Sequence, residues 1–200
     1  LFVSSDFLIP IFQKSIIIVL EESKMLPISE LSALSLTWQQ PSAWRREYLL
    51  VSDSGTHGRL AFTSFMKQII EGECGYEAWT FQRSGFFKRQ VLISRAGDAE
   101  PFAVYVPDTW RTGGRLELGG AIYQMHSNFW QTRFEFCQMD GEPVVAFHRR
   151  GTFRTSVAVQ VAPEALRWPE LPLLVTLGVV AILLHQQDAA AASPAGAARA

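Results

Sequence analysis

A chain of 200 residues with 18 basic and 19 acidic side chains is long enough to bury one sizeable core without help from metals or disulfides. Its net charge of −1 excludes a global electrostatic attraction to nucleic acid or to anionic membranes and leaves only local patches. The two cysteines, Cys74 and Cys137, are too few and too far apart for a disulfide framework or a zinc site. They read as semi-buried thiols in a reducing compartment, with one long-range bridge as the alternative.

The chain opens on Leu1, and its Ile16 to Leu20 run has neither the basic start nor the small-residue cleavage site of a secretory signal. Residues 1–24 are therefore read as an N-terminal appendage or as sequence upstream of a start at Met25, and the product as cytoplasmic, at most peripheral to a membrane. From Leu36 to Val161 short β-branched and aromatic runs alternate with turn chemistry, without a helical apolar stripe. Strands are predicted at Glu47 to Ser52, Arg59 to Phe65, Ala78 to Gln82, Gln90 to Arg95, Pro101 to Val106, Arg115 to Leu118, Ala121 to His126, Thr132 to Met139, Pro143 to Arg149 and Thr155 to Val161.

Asp53-Ser54-Gly55, Ala96-Gly97-Asp98, Thr112-Gly113-Gly114, Leu118-Gly119-Gly120 and Asp140-Gly141 supply turn residues that should join consecutive strands as hairpins. The expected fold is mainly β: an antiparallel barrel of about 10–12 strands spanning residues 25–188. Alternation gives each strand one inner face, with Phe102, Val104 and Val106 together, Phe134 with Phe136, and Val157, Val159 and Val161 together.

Phe81 to Ile93 aligns without gaps on Phe147 to Val159, sharing the pattern F-x-R-x-G-x-F-[KR]-x-x-V-x-[IV]. Ser42-Ala43-Trp44 through Tyr48 and Leu50 matches Asn128-Phe129-Trp130 through Phe134 and Phe136 in the same order. The barrel is expected to consist of two related halves, the first longer by twenty residues, about one extra hairpin. The plainer explanation is the recurrence of turn residues in any meander.

Leu171 to Leu184 is a nearly unbroken apolar run with Pro169, Glu170 and Pro172 at its start and His185, Gln186, Gln187 and Asp188 after it. Those are helix start and stop signals, and a helix expected at about 171–187 that is apolar all round must be enclosed by protein or lipid. Fourteen apolar residues rise only about 21 Å, short of the about 30 Å of hydrocarbon in a bilayer. Burial inside the barrel is therefore expected, with a tilted single-pass anchor as the alternative. Gly178 should mark where the barrel wall meets the helix backbone, and the alanine-rich residues 189–200 read as a disordered tail.

A sheet of hairpins closed by one hydrophobic C-terminal helix resembles the tubby C-terminal-like superfamily, which includes the LURP-one-related and phospholipid scramblase families. Leu36-Thr37-Trp38-Gln39-Gln40-Pro41-Ser42-Ala43-Trp44-Arg45-Arg46-Glu47-Tyr48, Trp79-Thr80-Phe81-Gln82-Arg83 with Gly85-Phe86-Phe87, and Leu171-Pro172-Leu173-Leu174-Val175 resemble uncharacterised prokaryotic members. The resemblance covers about residues 36–190. It implies a helix threaded through a twelve-strand barrel, and in some members phosphoinositide binding or membrane association. It matches no head-group ligand to a position in this chain, and the N-terminal stretch departs from the family.

His57, His126, His148 and His185 lack metal-ligand spacing, and no P-loop, G-x-G-x-x-G or G-x-S-x-G motif is present. No catalytic, metal-binding or cofactor-binding residues are assigned, and no cofactor is expected. One candidate patch for an anionic ligand comprises Arg83, Lys88, Arg89, Arg149, Arg150 and Arg154, interleaved with Phe86, Phe87 and Phe153 in the two matched turns. Such tips suit lipid phosphates with rings entering the interface, although solvated cations and Phe plugs would look the same. The function expected is that of a non-catalytic barrel domain whose specific role the sequence does not assign, with peripheral binding of anionic lipid head groups as the candidate and a protein docked on a soluble scaffold as the alternative. Nucleic acid is not expected, although Trp44 and Trp130 have the ring faces to stack bases.

Overall fold

A computed structural model of the chain describes residues 25–28, 36–42, 46–64, 69–84, 90–108, 113–150 and 155–192. The stretch 1–24 read as an appendage and residues 193–200 lie outside these. Twelve strands follow one another as an antiparallel meander: β1 (Leu36–Gln39), β2 (Glu47–Ser52), β3 (Gly55–Ser64), β4 (Ile69–Cys74), β5 (Glu77–Ser84), β6 (Gln90–Arg95), β7 (Ala103–Pro107), β8 (Gly114–Leu118), β9 (Ala121–Ser127), β10 (Arg133–Cys137), β11 (Pro143–Arg150) and β12 (Ser156–Val161). β1 pairs with both β2 and β12, with Leu36 opposite Val159 and Trp38 opposite Val157, so the sheet closes into a barrel with no free edge. After a single 3-10 turn at Pro163–Arg167 the chain enters helix α1 (Leu171–Ala192).

The helix occupies the barrel interior. Leu171 and every residue from Leu173 to Leu184 are buried, facing the inward side chains Trp38, Leu50, Leu60, Ile70, Phe81, Ile93, Leu116, Phe136 and Phe147. Each large apolar side chain so removed from water contributes about 1.5–3 kcal/mol before entropy. One hydroxyl sits among them, and Thr176 Oγ1 donates to the Pro172 carbonyl at 2.8 Å. That bond meets the requirement that a buried polar group find a partner.

Three sequence expectations are corrected. First, α1 has 22 residues and rises about 33 Å, because His185 to Asp188 and Ala189 to Ala192, four of them expected in a disordered tail, continue the helix. Length therefore does not exclude a membrane span. Enclosure argues against one: 67% of the most apolar 18-residue window is buried in the barrel.

Second, β7 is turned over. Ala103 and Tyr105 face inward, while Phe102 and Val106 are exposed. Tyr105 can enter because Gly114 on β8 leaves room, a Cβ there lying 2.5 Å from the ring. The Tyr105 hydroxyl donates to the Gly113 carbonyl at 3.0 Å, and Phe102 is covered outside by the Arg95 guanidinium, 5.5 Å from its ring.

Third, β1 and β4 were not foreseen as strands. β4 reads as turn-like because Glu71, Gly72 and Glu73 interrupt it, yet Ile70, Gly72 and Cys74 form its inner face. Gly72 is required by crowding, since a Cβ there would come 2.8 Å from both the Phe81 ring and the Thr176 methyl.

Gly178 plays the matching part on the helix. A Cβ on it would stand 2.1 Å from Phe147 Cζ, so the wall meets the helix backbone where the sequence placed it. Gly178→Ala should therefore destabilise the fold by about 1–3 kcal/mol through overpacking, despite the gain of about 1 kcal/mol in helix propensity. Denaturant titration should show this loss and its partial recovery in Gly178→Ala/Phe147→Leu; a more stable single variant would show that the ring does not press on the helix.

Candidate functional site

Antiparallel strands place alternate connections at opposite ends of a barrel. The turns at 53–54, 75–76, 96–102, 119–120 and 138–142, with the 162–170 stretch, surround the entry of α1. Gly55, Gly75, Gly97, Gly119, Gly120 and Gly141 all adopt positive φ at this end, the ordinary chemistry of tight hairpins. The end is acidic: Asp53, Asp98, Glu100, Asp140, Glu142, Glu164 and Glu170 lie in these connections, against Arg167.

The 128–132 connection, with residues 40–42, 46, 108, 113 and 155, lies at the end where α1 exits. Here the two matched sequence segments meet. Both fold into hairpins of the same register: Phe81 pairs with Ile93 and Arg83 with Val91 in the first, Phe147 with Val159 and Arg149 with Val157 in the second. Phe81 and Phe147 are fully buried against α1. Two residues further on, period-2 geometry carries Arg83 and Arg149 along the same inner face to the end of the helix.

Arg83 is committed to the helix. Its Nη1 and Nη2 donate to Oδ1 and Oδ2 of Asp188 at 2.8 and 2.5 Å, with side-chain exposures of 11% and 28%. This planar two-bond fork is a geometry that guanidinium provides and ammonium does not. Arg149 is half-buried and close enough to His185 to bear on its charge. Two related arginines thus face the polar stretch of α1 that begins at His185, ahead of its end at Ala192.

His185 Nε2–H donates to Oε1 of Gln131 at 3.2 Å, joining the helix to the β9–β10 hairpin. Burial pushes the His185 pKa down, Asp188 opposes this and Arg149 adds to it. Of the other candidate cations, Arg150 is exposed at the end of β11. Lys88, Arg89 and Arg154, with Phe86, Phe87 and Phe153, lie outside the described residues. The patch as read from sequence therefore divides: Arg83 is structural, Arg149 faces the helix exit and Arg150 faces water.

Sequence reasoning missed the β9–β10 tip as part of this end. Phe129 and Trp130 are 88% and 76% exposed and stack edge to face with ring centroids 5.2 Å apart. The signal was present as the Trp130 match to Trp44, but not the fact that the pair stands clear of the core.

Among the described residues no group of three His, Cys, Asp or Glu side chains could hold a metal ion. Cys74 and Cys137 are free and buried; burial raises both thiols, Cys74 to about 12, so neither is a thiolate nucleophile at neutral pH. His57 donates from Nδ1 to the Leu26 carbonyl at 3.0 Å, which leaves Nε2 to accept from the Ser52 hydroxyl at 2.7 Å. That cluster ties the 25–28 segment to the β2–β3 turn, where Leu26 N–H also donates to the Thr56 carbonyl. Near the helix entry an open groove of about 510 Å³ is lined by Tyr123, Met139, Trp168 and Glu170, among others.

Arg83→Ala should cost about 1–3 kcal/mol, the worth of charged hydrogen bonds left unmade at a partly exposed Asp188, and Arg83→Lys should recover only part of it in the same denaturant titration. A loss below about 0.3 kcal/mol would assign the fork no structural role. Because the folded state holds His185 below its ordinary 6.5, the unfolded chain binds the proton first as pH falls, and stability declines on acidification through that value. His185→Gln should flatten this part of the pH–stability curve relative to wild type; an unchanged slope would show that His185 does not contribute.

No protein-family model matches this chain, and no curated protein and no solved structure matches it either.

Proposed function

We propose that the protein is a non-catalytic barrel domain that binds surfaces rich in anionic phospholipid head groups peripherally, through the end where α1 emerges. The observation that carries this reading is the separation of charge between the two barrel ends in a chain whose net charge is only −1. Opposite the acidic entry, Arg46, Arg83, Arg149 and Arg150 stand toward the exit beside Asp108 and Asp188, and an excess of cations draws a protein to an anionic surface within about one Debye length.

Sequence adds to the field. The connections 43–45, 65–68, 85–89, 109–112 and 151–154 join strands whose paired ends lie at the helix exit. In sequence each of these stretches has at least one aromatic residue and one cation, among them Arg45, Lys67, Lys88, Arg89, Arg111 and Arg154, with the acids Glu47 and Asp108 close beside two of them. Aromatic and cationic residues together suit the head-group region, where a ring can lie partly in hydrocarbon while the charge meets phosphate. The likeness to the tubby-like superfamily points the same way, through the membrane association of some of its members.

The groove at the acidic end, with Tyr123, Met139 and Trp168 on its walls, favours a second reading in which the domain receives a protein partner there. A single-pass anchor through α1 is the weaker alternative, because withdrawing the helix would expose the apolar lining of the barrel.

Co-sedimentation with vesicles of phosphatidylcholine and phosphatidylserine tests the lipid reading. Wild type should bind, less so as salt rises, and Arg149→Glu/Arg150→Glu should bind about tenfold or more weakly, since each basic residue near such a surface is worth about 1 kcal/mol. Equal binding of the two proteins, or no binding by wild type, would refute it.

A further inference from the structure

We infer that the β9–β10 hairpin is a preformed wedge that inserts Phe129 and Trp130 into the acyl border of the bilayer, setting the barrel on the membrane with the exit of α1 facing it. This inference rests on the lipid reading above and adds the element that penetrates.

The tip is built to hold its rings out. Asn128 Oδ1 accepts from the backbone N–H of Thr132 at 2.9 Å and of Arg133 at 3.0 Å, and Asn128 Nδ2 donates to Thr132 Oγ1 at 2.9 Å. Gln131 N–H donates to the Asn128 carbonyl at 3.0 Å, and Arg149 N–H donates to the Thr132 carbonyl at 2.8 Å. Gln131 has φ +53°, the one positive φ among the described non-glycine residues, in a region where glycine or asparagine is the usual occupant. Its side chain is not free to relax the turn, because His185 of the enclosed helix holds it at 3.2 Å.

The hairpin is thus braced internally, by the neighbouring strand and by the helix. Yet its two largest apolar side chains are the ones left in water, 88% and 76% exposed. At the opposite end the tight turns are made with glycine, so aromatic rings are not needed to turn the chain in this barrel. A rigid tip with exposed Phe and Trp, on the end that lacks the acidic turns, matches a water–lipid interface: it supplies apolar area without first losing conformational freedom, and the indole N–H can stay with the head groups. The distinguishing property is that insertion survives salt, whereas attraction between charges does not.

Vesicles of phosphatidylcholine and phosphatidylserine in about a 7:3 ratio are titrated with wild type, Phe129→Ala/Trp130→Ala and Arg149→Glu/Arg150→Glu, at about 0.1 M and about 0.5 M NaCl, the higher salt cutting screening to about 4 Å. Thermal melting checks that each variant is folded, which the exposure of both rings makes the expected result for the aromatic pair. A salt-resistant fraction of wild-type binding should disappear in Phe129→Ala/Trp130→Ala, with affinity about tenfold or more lower at low salt, while Arg149→Glu/Arg150→Glu loses mainly the salt-sensitive part. If the aromatic variant binds like wild type while the arginine variant is weakened, the wedge is overturned and the lipid reading stands. If wild type binds no vesicle at either salt, both the wedge and the lipid reading fall.

Discussion

The structure depends on giving α1 a dry surround on every side. A helix apolar all round has no face for water, and a flat sheet could cover only one. A closed sheet covers all of it, and closure requires β1 to reach both β2 and β12. The inner face is adjusted to the rod it holds. Gly72 on the wall and Gly178 on the helix are each opposed by an aromatic ring, Phe81 and Phe147, at distances that leave no room for a methyl group. The lining of the barrel and the helix thereby form one continuous hydrophobic core.

The same parity that fills the core also sorts the charges. A strand residue two places beyond an inward Phe is again inward, so Arg83 and Arg149 arrive at the helix exit rather than on the outer wall. There Arg83 meets Asp188 and Arg149 bears on His185. His185 in turn reaches Gln131, linking the core helix to the hairpin that carries the exposed aromatic pair. The seating of the helix and the shape of the exit end are thus parts of one hydrogen-bonded arrangement. The two matched segments supply equivalent pieces of it, Arg83 meeting the Asp188 carboxylate and Arg149 standing near His185.

The limits of sequence reading are local. β2 and β6 fall at the bounds expected for them, because their β-branched and aromatic residues alternate between clear turns. β4 was hidden because its inner face includes a glycine whose smallness makes sense only once Phe81 and Thr176 are seen against it. β7 was turned over because Phe102, Val104 and Val106 outweigh Ala103 and Tyr105 in hydrophobicity; the space beside Gly114 reversed the choice. In the candidate patch, spacing could gather the cations but could not distinguish an arginine paired with Asp188 from one facing water.

Alternation of strands and the unbroken apolar run from Leu171 to Leu184 were enough, from residues alone, to give a β meander and a helix that needs an apolar surround, of protein or of lipid, because burial of apolar surface is read directly from residue order. Tertiary structure alone decided that this helix extends to Ala192 and is enclosed, that acids gather at its entry while Arg83, Arg149 and the Phe129–Trp130 tip come together at its exit, and that Arg83 is paired there. Those outcomes follow from which strand ends share a rim, a relation between residues as far apart as Arg83 and Asp188 that no local pattern encodes.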